Sequence, residues 1–533
     1  MPSTKKKCFS KCRKKSEKDC GPKICKYIKG KKYQYCRLGY KYKMDEKCNI
    51  TRRKMKTKLT KKQARLNINE FLNKTRKNKN QTQNQKTTQN NNLAANKIQK
   101  FMKKNKMKIK SRFLQSICSD SGVCLAFGRN TNDIKDFFNN FTNFKYTNDT
   151  MKRLGTPSAN GFVNEITYER EKYKAHSIIK SSAQINSDNL FYEYLCGLVI
   201  NSWCVRLPCF IETYGLYEYE DHYTWNKVKD NKTTSINAID KYMTLLSNDS
   251  ININSNNFDK ILMKSCFKSK YIAIMIQHIK NAKTLYEFFE DSINNYLFVN
   301  NQFVAILFQV YFALHVLKNN FTHYDLHSEN VLIYTPNQNG YIHYHYILSN
   351  GDTISFKSPY MAKMIDYGRC YFRHETKDDF NSANIYDKIC KENECKPCGQ
   401  KVGYSWLSKS GALRNQYYIH STVSNKSHDL RLLYNFKGMF KFYKLHTKMH
   451  KKPNSFYFNI IDKLKYNTLY GSPETKNNGY PDKIQTVSDA FRGLSDLISH
   501  PDFFEYNEAE TENLDKLGDL YIYENNRPMK FKN

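Results

Sequence analysis

Residues 323–330, His-Tyr-Asp-Leu-His-Ser-Glu-Asn, crowd two imidazoles, two carboxylates and an amide together, and the apolar run Val331-Leu332-Ile333 follows at once. Asp325 and Asn330 stand five residues apart across what must be a short loop. One can therefore orient a hydroxyl and accept its proton while the other holds a metal ion. A second acid, Asp366, lies 41 residues beyond Asp325, at the end of the apolar approach Ala-Lys-Met-Ile and just before Tyr367-Gly368. A carboxylate at a strand end before glycine is well placed to hold Mg²⁺ against phosphate oxygens.

In that order, His-x-Asp-Leu-x-x-x-Asn and Asp-aromatic-Gly resemble the catalytic and metal-binding loops of the protein kinase superfamily. The resemblance spans roughly residues 145–500 and supplies further expectations. Gly155, Gly161 and Val163 in "LGTPSANGFVNEITY" resemble a glycine-rich loop over phosphates, with two glycines rather than three; an ordinary hairpin is the alternative. "AHSIIKS" resembles the strand whose lysine, here Lys180, reaches the α- and β-phosphates, although Ile178 stands where a small residue is usual. Glu193 falls 13 residues after Lys180 in an otherwise apolar stretch; an unpaired buried glutamate is costly, so it is expected to pair with Lys180. Gln277–Ile279 would be the hinge that contacts adenine, and Asp429 the acid that braces the catalytic-loop backbone. The implied cofactors are ATP and Mg²⁺. The implied activity is phosphoryl transfer to a protein hydroxyl of the Ser/Thr type, with Asp325 as base, Lys180 and Glu193 as the phosphate-positioning pair, and Asn330 and Asp366 at the metal.

The departures are specific. Tyr324 replaces the arginine that answers an activation-segment phosphate, and no Ala-Pro-Glu closes that segment. His327 stands where a γ-phosphate-contacting lysine is usual; it either contacts that phosphate or is structural. "HxDLH" is also similar to small-molecule phosphotransferases of the aminoglycoside and choline kinase type. A third class is a kinase-like scaffold whose basic tail binds nucleic acid. Asp-Tyr-Gly favours the protein kinases, and the whole arrangement resembles the divergent kinases of giant nucleocytoplasmic DNA viruses, which implies an intracellular setting, host cytoplasm or virion.

The elements that must position these residues follow from periodicity. "GFVNEITY", "KAHSIIKS" and "YIAIMIQHI" read as strands. "DNLFYEYLCGLVIN", "NQFVAILFQVYFALHVLKN", "SHDLRLLYNFKGMF" and "IQTVSDAFRGLSDLI" read as helices. Strands followed by helices predict an α+β fold, a small antiparallel sheet with one helix and then a larger helical body. As a kinase-like domain this is 145–510, split at 279/280, with 511–533 as a C-terminal extension. Alternating aromatics in "TPNQNGYIHYHYILSNGDTISFKSP" predict an added hairpin.

Charge is unevenly spread. Residues 1–120 hold 38 Lys and Arg against 6 Asp and Glu, a net of +32, which leaves only +6 of the total +38 to the rest. The basicity is a tail property, matched to nucleic acid or another acidic surface. Within it, 1–92 reads as a largely disordered Cys-containing tail and Asn/Gln-rich linker, with a zinc-organised knot of its six cysteines as the alternative. Residues 93–144 read as a basic helix and connector; "IQKFMKKNKMK" partly resembles a calmodulin-binding pattern, and a helix packed on the main domain is the alternative. No uninterrupted run of 18 apolar residues predicts a membrane span, because Asn301, Gln302 and Gln309 break the most apolar helix. The N-terminus lacks the apolar core of a secretion signal, so the 16 cysteines are expected as thiols or metal ligands. Cys390, Cys395 and Cys398 could bind Zn²⁺, with Cys370 or His374 as fourth ligand.

Overall fold

The computed structural model describes four short strands between residues 25 and 52. From residue 135 to 532 it describes all but 158–160, 172, 184–189, 249–251, 293–294, 393–394, 396–397, 408–415, 444–453 and 467–479. The expected linker 74–92, the basic helix, and the tail cysteines other than Cys25 and Cys36 lie outside the described residues. The chain divides into two compact units, Met1–Met102 and Lys103–Asn533. In the first, Cys25–Lys29 pairs antiparallel with Gln34–Leu38, and Tyr42–Met44 with Ile50–Arg52.

The second unit is α+β. Its strands β1 (Thr150–Leu154), β2 (Gly161–Arg170), β3 (Tyr173–Ser182), β4 (Thr213–Tyr219), β5 (Thr233–Ser235), β6 (Met243–Ser247) and β7 (Ile272–Gln277) form one antiparallel sheet in the order β6-β4-β7-β3-β2-β1-β5. β7 is central, and Ile272–Ile276 are all buried, which is why it reads as a continuous apolar run. Helix α1 (Leu190–Cys204) is apolar on every side because it is buried on every side, between the sheet and the body below. The stretch between β4 and β7 holds the edge strands β5 and β6, which widen the sheet beyond the strands expected from the sequence, together with the helices α2 (His222–Asp230) and α3 (Asn256–Phe267) and a short helical turn at Asn237–Asp240.

The helical body is built on α4 (Leu285–Ser292) and α5 (Gln302–Val316). Phe289 and Phe303 pack rings with Phe436 at centroid distances of 4.9 and 4.8 Å. The segment Tyr296–Val316 is long and apolar enough to cross a membrane, but 94% of it is buried inside the fold, as a core helix would be. Two of its polar interruptions are satisfied by neighbours. Gln309 donates to the Tyr360 carbonyl and accepts from the Ala362 amide, both at 3.1 Å, and Asn301 donates to the Phe503 carbonyl at 3.0 Å.

Two ladders follow. Strands β8 (Val331–Tyr334) and β11 (Met361–Met364) pair antiparallel, and between them β9 (Gly340–Ile347) and β10 (Thr353–Ser358) form the expected hairpin. After α6 (Ser382–Ile389), α7 (Arg431–Phe442), α8 (Val487–Ile498) and α9 (Pro501–Thr511), the chain returns as β12 (Asp515–Tyr523) and β13 (Lys530–Lys532). β12 pairs parallel with β9 over its whole length, which seats residues 515–523 of the expected C-terminal extension on the β9 hairpin. At the other boundary, Phe141 is buried against Tyr168 and Tyr214 and Phe138 stacks on Phe141, so the body starts before residue 145.

Candidate active site

Lys180 lies on β3 opposite Val163 of β2, so the two side chains share one face of the sheet. Its ammonium donates to both Glu193 oxygens, at 2.9 and 2.7 Å, and to Asp366 Oδ1 at 2.8 Å. Three residues far apart in sequence thus meet at one cation. Burial acts against that charge, but Asp366 and Glu193 outweigh it and push the lysine above its usual range. Conversely, Lys180 holds the Asp366 carboxyl well below the carboxylate range, against the cost of burial. Gly197 packs α1 close to β4; a Cβ there would lie 2.7 Å from Thr213 Cβ, and this contact sets the height of Glu193 one turn earlier.

Asp366 has a positive φ of +69°, which turns it out of the β11 ladder, while Tyr367 is buried and its hydroxyl accepts from the Ile211 amide at 2.9 Å. The ladder brings the two loops together: the Ile365 amide donates to the Asn330 carbonyl at 3.1 Å. Asn330 Nδ2 donates to the Asp325 carbonyl at 2.9 Å, which leaves Oδ1 as its ligand atom. A carboxylate beside an amide oxygen is an oxygen-only donor set that suits a hard cation such as Mg²⁺.

Asp325 is held by two guanidiniums, Arg369 at 2.9 Å on Oδ2 and Arg431 at 2.5 Å on Oδ1. Burial would raise its pKa; Arg431 and Arg369 outweigh this and keep it ionised. Arg431 is itself buried, its guanidinium stacked 3.8 Å from the Tyr417 ring centroid. Neither arginine was expected from the sequence, since both come from segments after the metal loop. Burial lowers the pKa of His327; its Nδ1 caps the Ser328–Asn330 turn by accepting from the Glu329 amide at 3.3 Å, and its Nε2 lies 3.9 Å from Asp325 Oδ1.

Around these groups the backbone is braced. Asp429 accepts from the amides of His323 and Tyr324, at 2.8 and 3.1 Å. His323 bonds the Ile365 carbonyl at 2.9 Å. Tyr324, at φ +60°, stacks near His428 and donates to the Val423 carbonyl at 2.7 Å, tying the loop directly to the following segment.

The far end of the same sheet face is more polar than the sequence led one to expect. Glu165, Thr167 and His176 continue the row of Val163 and Lys180, and they line a cavity of about 240 Å³ with Lys152, Lys174 and Lys280. Glu165 bonds Lys280 at 2.9 Å and lies 3.3 Å from His176; the His176 bond, helped by Lys280 against burial, holds its carboxyl at about 2. Burial pushes the neighbouring His278 down to about 4. The alternation of β2 and β3 carried this signal, but it requires the strand register. At the expected hinge, the Gln277 amide is taken by the Glu212 carbonyl at 2.8 Å and the His278 amide by the His176 carbonyl at 3.0 Å, while Ile279 is buried. Gly155 has a φ of +63°, which favours glycine, and a Cβ on Gly161 would lie 2.6 Å from the Ser181 carbonyl; residues 158–160 between them lie outside the described part.

The cysteines expected as zinc ligands stand in pairs. Cys390 is bonded to Cys398, and Cys395 to Cys266. Cys266 comes from α3, a partner that spacing within the 390–398 segment could not reveal. Cys370 is a buried free thiol, and His374 Nδ1 accepts from the Thr376 amide at 3.2 Å.

Comparison of the chain with protein-family models finds no match, and comparison with curated proteins finds none.

Proposed function

We propose that the second unit is a bilobal, kinase-like phosphotransferase that moves the γ-phosphoryl group of ATP to a protein hydroxyl. The observation that carries this reading is Lys180 bonded at once to Glu193 and Asp366, with Asn330 and Asp325 brought beside Asp366 by the β8–β11 ladder. A partly exposed cation held between a helix glutamate and a loop carboxylate suits the α- and β-phosphates of a nucleotide. Asp366 and Asn330 would hold Mg²⁺, which supplies charge neutralisation when bound. Asp325 accepts the hydrogen bond of the acceptor hydroxyl and then its proton, and Arg369 and Arg431 keep it ionised for that task. Glu193 keeps Lys180 in place, and Asp429 holds the loop that presents Asp325. Most of the catalysis would be positioning and electrostatics.

A small-molecule acceptor remains the second reading, favoured by the polar cavity at Glu165, His176 and Lys280. Purified full-length protein, Mg-ATP and panels of protein and small hydroxylic acceptors distinguish the two. Asp325→Asn and Asp366→Asn are each expected to lower transfer by about 10² to 10⁴-fold. Equal rates in wild type and both variants would remove the phosphotransferase reading altogether.

A further inference from the structure

The outer face of the β9–β10 hairpin carries a group of side chains that the proposed phosphotransfer does not use. β9 alternates, with Ile342, Tyr344 and Tyr346 buried and His343 and His345 on the opposite face, partly open at 29% and 15%. Asp519 on β12 is the direct register partner of His343. Its Oδ1 lies 3.4 Å from His343 Nδ1 and 3.0 Å from His345 Nε2, and the three ligand atoms fall within 4.8 Å of one another. Atoms bound to zinc at about 2.0–2.1 Å in a tetrahedron are separated by roughly 3.3 Å. The two imidazole-to-carboxylate spacings bracket that value.

The surroundings fit ligand duty. The other ring nitrogen of His345, Nδ1, bonds Ser355 Oγ at 3.0 Å, which fixes the ring and leaves Nε2 for a metal. Tyr521 stacks on the same ring at 4.7 Å. Lys516 takes only Asp519 Oδ2, at 2.7 Å, leaving Oδ1 to face the two imidazoles.

We propose that His343, His345 and Asp519 bind one divalent transition-metal ion of the zinc type, with a fourth position open to water. Two imidazoles and one carboxylate select this class over Mg²⁺ or Ca²⁺. The ion would clamp the C-terminal strand β12 to the β9 hairpin, a parallel pairing that no short connection enforces.

The test is a Co²⁺ titration of chelator-stripped full-length protein, read by visible absorption. One equivalent with a nitrogen-and-oxygen spectrum, free of thiolate charge-transfer bands, is expected. His343→Ala/His345→Ala should abolish it with an unchanged far-UV circular dichroism spectrum. Lys516→Gln, which frees the second carboxylate oxygen, should tighten binding severalfold. Hydrogen exchange in 515–523 should slow by about tenfold on loading at tenfold excess over Kd. No binding, thiolate bands only, or a spectrum retained in the double variant would each overturn the site.

Discussion

At the residue scale, Asp325 is defined by its two arginines more than by its loop. Arg431→Gln removes one of the charges that hold it ionised, so its pKa rises. Because the base must be deprotonated, the acidic limb of the pH–rate profile should move to higher pH, while KM for ATP changes little. A merely structural arginine would leave that limb in place. The cluster at Glu165 makes a stability prediction. His278 has a folded pKa of about 4 against about 6.5 unfolded, so the folded state resists its protonation and loses stability as pH falls from 6.5 to 4. Glu165, at about 2 when folded, adds a further loss only below its unfolded value of about 4.3. The gap between urea midpoints at pH 7 and pH 4.5 should therefore narrow in His278→Gln, the histidine accounting for at most about 3 kcal/mol, with the remainder left to other histidines whose pKa burial lowers, such as His343.

At the element scale, the site depends on how α1 seats on the sheet. Gly197→Ala would drive a methyl group into the Thr213 side chain. The helix must then lift, and Glu193 lifts with it away from Lys180. Overpacking of this kind costs about 1–3 kcal/mol. Transfer activity should fall more than stability explains, which a comparison of denaturation midpoints with kcat would read. Tyr324 explains another element: where an arginine would wait for a phosphate, the tyrosine hydroxyl already ties the loop to Val423.

At the scale of the molecule, charge and fold are separable. The net of +32 in residues 1–120 belongs mostly to the unit ending at Met102, while the near-neutral remainder carries the candidate site. Deleting 1–102 is expected to leave circular dichroism and phosphotransfer of the body unchanged. Binding to a DNA duplex, read by fluorescence anisotropy, should fall at least about tenfold and lose its salt dependence. Retained DNA binding would move that function to the body.

Strand and helix positions were legible because β7 and α5 are continuous apolar runs and β2 and β3 alternate, signals that burial imposes locally. Of the polar anchors, Asp325, Asn330 and Asp366 were picked out by the order and spacing of two short motifs, Lys180 and Asp429 by the resemblance those motifs carry, and Glu193 by its place in an apolar stretch. Arg369 and Arg431 on Asp325, the Cys266–Cys395 pairing, the polar row at Glu165 and the seating of β12 on β9 were not. Each is a contact between segments remote in sequence, selected by register and packing, and a side chain carries no local trace of the partner that folding will bring to it.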